Sequence, residues 1–128
     1  MAKIQVVDGP LITAPADRRL VLALEDGGID ILHRCGGHAK CTTCRVKFAD
    51  GEPDSFTEAE AARLEQDDLL GEVRLSCQIL CDHDMTVEPV YRLHEMDKMD
   101  DAGPRPEDTI TPEVTRRLPR SEVLEPAN

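Results

Sequence analysis

Cys35-Gly36-Gly37-His38-Ala39-Lys40-Cys41-Thr42-Thr43-Cys44 sets three cysteines at x5 and x2 spacing, and a fourth, Cys77, follows in Arg74-Leu75-Ser76-Cys77-Gln78. One loop therefore offers three thiolates around a single point, and a distant segment closes the fourth side. Four thiolates hold either a tetrahedral Zn²⁺ or an iron–sulfur cluster. Structural zinc sites pair two short Cys-x2-Cys knuckles with two ligands from each, whereas here the split is three and one. That split, with Gly-Gly inside the loop, is the pattern of a [2Fe–2S] cluster; the plant-type spacing is one residue shorter in its first gap. Four thiolates and two bridging sulfides make an anionic group, which wants backbone N–H groups turned toward its sulfurs. Gly36 and Gly37 permit the positive φ angles and close approach of such a loop, and Thr42 and Thr43 can add hydroxyl donors.

Composition points the same way. The chain has 128 residues, 40% of them hydrophobic, but no Trp, one Tyr and two Phe. Such a length allows one domain with an appended tail. The aromatic side chains that bury most area apiece are scarce, so metal ligation by some of the five cysteines is the expected staple. A disulfide framework is disfavoured by the odd cysteine count and by the address expected. Met1–Asp8 has no apolar run of signal-peptide length, and no stretch approaches the ~18 apolar residues of a membrane span. We therefore expect a cytoplasmic protein with no membrane partner. Acids outnumber bases 26 to 15 for a net charge of −11, which argues against nucleic acid and against anionic membrane surfaces.

Along the chain, Lys3–Val7 alternates, Asp8-Gly9-Pro10 reads as a turn and Leu11–Ala14 as a return strand, which together predict a hairpin. Leu20, Val21, Ala23 and Leu24 recur at helical spacing and stop at Gly27-Gly28. Arg45–Phe48, Val73–Leu75 and Met85–Val90 read as strands, and Thr57 with Glu60 forms a capping-box pattern that starts a helix to about Gln66. From about Leu93 the chain turns Pro-rich, with few large apolar groups. We place a first unit at 1–92 and read 93–128 as an acidic tail, mostly disordered or draped on the surface. A sharper possibility for the tail is a docking arm built on Arg116, Arg117, Val114 and Leu118.

CGGHAKCTTC, RLSCQ and the closing DMTVEPV together resemble the [2Fe–2S] ferredoxins, over about residues 3–90. The x5 gap is similar to that of the adrenodoxin-like branch, which includes the bacterial ferredoxins of iron–sulfur assembly. The CGG before the second cysteine also looks like the ferredoxin domains that reactivate corrinoid enzymes or sit in larger reductases. The resemblance implies an α+β fold of β-grasp type, a mixed sheet packed on a helix, with one [2Fe–2S] cluster in a surface loop. It implies Cys35, Cys41, Cys44 and Cys77 as the ligands, and one-electron transfer without enzymatic chemistry. Cys81 is left over and reads as a small buried hydrophobe.

Dividing the charge localises it: residues 1–48 carry +2, whereas 49–72 carry −8. Acids in the first turn of a helix favour its dipole, but Glu65, Asp67 and Asp68 oppose it near the C-terminal end. Acids kept where they cost stability suggest another use. The resemblance implies docking, and Glu58, Glu60, Glu65, Asp67 and Asp68 are the candidate contacts with basic-surfaced redox proteins: a ferredoxin reductase, and an acceptor such as an oxygenase or a cluster-assembly protein. The expectation is a monomeric soluble carrier. The alternatives are a redox-sensing or regulatory [2Fe–2S] module and a zinc-stabilised interaction domain. His38 could tune a cluster's potential by its charge, Arg34, Lys40 and Arg45 could offset the cluster's, and His33, His83 and His94 show no ligand pattern.

Overall fold

The computed structural model describes residues 1–33, 36–39, 42–92, 103–114 and 116–124. Arg34, Cys35, Lys40, Cys41 and His94 lie outside the described residues, as do 93–102, 115 and 125–128.

The opening alternation forms the hairpin it predicts. β1 (Ala2–Val6) buries Ala2, Ile4 and Val6 on one face and pairs antiparallel with β2 (Leu11–Ala14), Ile4 opposite Ile12. The chain then enters α1 (Leu20–Asp26), which buries five consecutive residues from Leu20 to Leu24. A helix apolar on all sides can only be a central one. It ends at Gly27, and Gly28 follows at φ 94°, the left-handed conformation glycine accepts without steric cost.

After the cysteine-rich loop come β3 (Arg45–Asp50), β4 (Ser55–Thr57), α2 (Glu58–Gln66), β5 (Arg74–Leu75), a single 3₁₀ turn at Ser76–Gln78 and β6 (Met85–Pro89). The main sheet has the order β2-β1-β6-β3-β5, with β1 and β6 parallel and the other pairs antiparallel. The Thr57 hydroxyl caps α2 by accepting from Glu60 N at 3.1 Å. The core is aliphatic: Ile4, Leu20, Leu22, Leu24, Ile31, Leu64, Leu75 and Val87 have no exposed surface, and Phe56 is the one buried aromatic ring among the described residues.

Part of 93–128 has regular structure where it is described. Residues 117–119 form β7 (Arg117–Pro119), paired antiparallel with β4 so that Leu118 faces Phe56, and α3 (Arg120–Leu124) follows. Leu118, Val123 and Leu124 pack on the core, and Ile110 is buried. Two of the residues assigned to a docking arm, Arg117 and Leu118, are thus strand partners of this domain's own β4. The contacts of the fold continue well past residue 92.

Candidate metal centre

The loop bends as its glycines suggested: Gly36 and Gly37 have φ of 71° and 84°, and Ala39 follows at 57°. Three left-handed residues among four in sequence turn the backbone tightly, the conformation that glycine adopts without steric cost. Gly36 N donates to His33 O at 2.8 Å, closing the turn on its N-terminal side. From α2, Arg63 Nε donates to Ala39 O at 3.3 Å, bracing the loop against the acidic helix.

Cys44 and Cys77 are brought together by the β3–β5 pairing. That register sets Arg45 opposite Leu75, so the residues just beyond meet: Ser76 N and Ser76 Oγ donate to Cys44 O at 3.2 and 2.7 Å. Cys44 is 1% exposed and Cys77 0%. Gln78 Nε2 lies 3.7 Å from Cys77 Sγ, within reach of a weak N–H to sulfur bond. Its own carbonyl oxygen accepts from the Thr57 hydroxyl at 2.6 Å, which fixes the amide orientation. Thr42 is engaged on the other side, where its carbonyl accepts from Arg45 Nε at 2.9 Å and its hydroxyl from Arg45 Nη2. The Arg45 guanidinium in turn stacks over the Tyr91 ring, 4.7 Å from its centroid.

These residues fit an anionic cluster held by sulfur. Cys44 and Cys77 are buried, soft sulfur donors on adjoining segments beside the tightly turned loop. Gly37 leaves no room for a side chain, since a Cβ there would lie 2.6 Å from Arg19 Nη2 and 2.8 Å from Pro106 Cβ. Residues 6–82 match the family of the 2Fe-2S iron-sulfur cluster binding domain. The chain belongs to this family. Its cofactor is one [2Fe–2S] cluster, and its mixed sheet and few helices are the β-grasp arrangement expected.

As a member of this family the chain is 30% identical over 117 residues to one component of the Na(+)-translocating NADH-quinone reductase of Marinomonas sp. (strain MWYL1), covering 89% of this chain but 28% of that component. The corresponding component of the Chlamydia felis (strain Fe/C-56) reductase is 37% identical over 86 residues, with 67% of this chain and 20% of that one covered. The chain thus spans less than a third of the length of these curated relatives. Among solved structures, the ISC-like [2Fe-2S] ferredoxin of Pseudomonas putida JCM 20004 superposes with a TM-score of 0.55 at 27% identity, over 73% of this chain and 96% of that one.

The acidic segment divides into two kinds of residue. Glu58, Glu65, Asp67 and Asp68 are exposed, and Asp67 pairs with Arg63 one turn back at 3.7 Å. Glu60 corrects the sequence reading, because it is 0% exposed and unavailable to a partner. Its carboxylate does not return to the N-cap as in a full capping box. Oε2 accepts from Arg74 Nε and from Leu75 N, both at 2.8 Å, and Oε1 from Arg74 Nη2 at 3.1 Å. Burial pushes the Glu60 carboxyl above its ordinary range, and the hydrogen bond and charge of Arg74 pull it back. Arg74 also donates to Pro53 O and Ser55 O and covers the Phe56 ring at 3.8 Å. This buried network fixes the strand that leads into Cys77.

Two residues near the centre escaped the sequence reading. Arg19, which carries no motif, is fully buried and donates to Cys77 O from Nε at 3.0 Å and from Nη2 at 2.7 Å, and to Gly37 O from Nη2 at 2.6 Å. Gln78 stood in the quoted RLSCQ string, but its reach to sulfur was not legible there. Cys81 is buried at 0% exposure with its thiol pushed up to about 12, chiefly by burial. Of the histidines, His38 is exposed, and His33 is buried with Nε2 2.7 Å from Glu25 Oε1. His83 Nδ1 and Nε2 lie 2.7 and 2.6 Å from Asp82 Oδ1 and Gly51 O.

Proposed function

We propose that this chain is a one-electron carrier whose cluster is held by Cys35, Cys41, Cys44 and Cys77. The observation that carries the reading is the buried pair Cys44 and Cys77, set on adjoining segments by the Ser76 bonds to Cys44 O, beside the left-handed turn of Gly36, Gly37 and Ala39. When bound, the cluster supplies one-electron redox chemistry. The protein's own task is to hold the thiolates, to aim donors at sulfur and to keep rearrangement small. Gln78 Nε2 offers such a donor to Cys77 Sγ. The buried Glu60–Arg74 network and the Ser76 bonds stiffen the fourth-ligand segment, so that adding an electron moves few atoms.

Docking falls to the exposed acids Glu58, Glu65, Asp67 and Asp68. Arg63 links their helix to Ala39 in the loop, so a basic partner seated on that face lies close to the centre. Complementary charge speeds encounter and leaves a complex weak enough to turn over. The partners we infer are a basic-surfaced reductase and an acceptor enzyme. The likeness to components of NADH-quinone reductases favours an NADH-linked donor. No helix among the described residues is long and apolar enough to cross a membrane; cysteines given to cluster ligation rather than to a disulfide framework favour the cytoplasm.

The test is stopped-flow reduction of the purified holoprotein by an NADH-dependent ferredoxin reductase across a salt series. The expected result is rapid one-electron bleaching that slows steeply as salt rises. A protein that binds zinc, or whose cluster neither accepts nor donates an electron, ends this reading.

A further inference from the structure

The C-terminal segment crosses the cluster loop and is fastened there from below. Pro104 and Pro106 lie against Gly36 and Gly37, where a Cβ would meet their ring atoms at 3.6 and 2.8 Å. Arg19 reaches through from the start of α1 and binds both sides at once. Nε and Nη2 hold Cys77 O and Gly37 O, while Nη1 donates to Glu107 O at 2.8 Å and to Thr109 O at 3.2 Å. Gln78 adds a second fastening, with Nε2 2.7 Å from Thr111 O and the Thr111 hydroxyl 3.3 Å from Gly37 O. Three segments far apart in sequence meet on one guanidinium, and all its acceptors named here are backbone carbonyls. Only a planar fork with five N–H donors can span them.

We propose that Arg19 is a positioning residue of the electron-transfer centre. It clamps residues 104–111 across the cluster loop, making the C-terminal segment one wall of the centre, and it holds a positive charge behind the loop that favours the reduced cluster. The charge role rests on the electron-carrier reading; the clamp does not.

Arg19→Lys and Arg19→Gln in the full-length holoprotein separate the two roles. Lysine keeps the charge but concentrates its donors on one nitrogen, so both variants lose the clamp. Thermolysin cuts before large apolar residues, and Ile110 is 9% exposed in the clamped segment. Cleavage there, and cluster bleaching by an iron chelator, are expected to quicken about tenfold or more in both variants, because several charge-assisted bonds are lost. The midpoint potential of Arg19→Gln is expected below that of Arg19→Lys by about tenfold in the reduced-to-oxidised ratio, about 59 mV for one electron. Should either variant fail to retain a cluster, Ile110→Asp unseats the segment while Arg19 stays in place, and it too must bleach faster. Cleavage and bleaching within twofold of wild type in the Arg19 variants, or wild-type bleaching in Ile110→Asp, overturn the clamp. Equal potentials for Lys and Gln overturn the charge role. A wild-type cluster that exchanges no electron with a reductase would instead refute the carrier reading and leave the clamp standing.

Discussion

Replacing Glu60 by alanine removes three hydrogen bonds at once and strands two buried donors, the Arg74 guanidinium and the Leu75 N–H. The Arg74 side chain is only 4% exposed and the Glu60 side chain 0%, so water cannot readily take the carboxylate's place. Breaking a buried ion pair by deleting one partner costs about 3–5 kcal/mol. Arg74 keeps Pro53 O at 3.0 Å, Ser55 O at 2.7 Å, Glu52 at 3.3 Å and the face of Phe56, which holds the loss to the lower end. Falling wholly on the unfolding step, about 3 kcal/mol is roughly a hundredfold in rate. Glu60→Gln retains one acceptor for Leu75 N but loses the charge, and should cost about 2 kcal/mol, within the range for hydrogen bonds to charged groups. The assay is cluster bleaching in a fixed urea concentration, followed by visible absorbance, with Glu65→Ala as an exposed acid in the same helix. Glu65→Ala should stay within about 0.5 kcal/mol of wild type, as surface substitutions do. Bleaching of Glu60→Ala within threefold of wild type would refute the network's role in holding the Cys77 segment.

The exposed acids should behave in the opposite way. Asp67→Ala with Asp68→Ala should leave urea bleaching near wild type and slow reductase turnover at low salt, the difference vanishing at high salt where charges are screened; unchanged low-salt turnover would remove the docking face. Cys81→Ser should keep the visible spectrum, and Cys81 in the holoprotein should resist alkylation at pH 8. Because its folded value, about 12, lies above the ordinary 9.0, the stability it contributes is present below 9.0 and is lost as pH rises toward 12. Partial burial lowers the pKa of His83, but its bonds to Gly51 O and Asp82 outweigh that and raise it above 6.5. Its protonated form therefore stabilises the fold below pH 6.5, and that contribution fades as pH rises through the folded value. An NMR titration should place His83 above 6.5, and His83→Gln should flatten the pH dependence of stability in that window.

What the sequence disclosed, and what it withheld, follows from the range of each interaction. The hairpin, α1 with its Gly27 stop and the Thr57 cap depend on neighbours a few residues away, and their residue types declare them. The cysteine spacing is similarly local for three thiols. Glu60 sits where a capping-box acid sits, and nothing nearby distinguishes a carboxylate returning to the cap from one turned inward toward Arg74, 14 residues on. Arg19 was illegible because its named acceptors are backbone carbonyls, which any residue supplies, as far as 90 positions away. For the C-terminal segment, prolines and acids suggested a stretch disordered or draped on the surface; the pairing of Arg117–Pro119 with β4 and the packing of Leu118, Val123 and Leu124 on the core depend on distant residues that local composition does not declare.

The central claim is a single [2Fe–2S] cluster that carries one electron. Electron paramagnetic resonance of the purified protein, with iron and sulfide counted in the same sample, tests it directly. A silent oxidised form, and on reduction one spin for every two irons, is the predicted result. Stoichiometric zinc with no iron, or iron that stays silent at low potential, would contradict it.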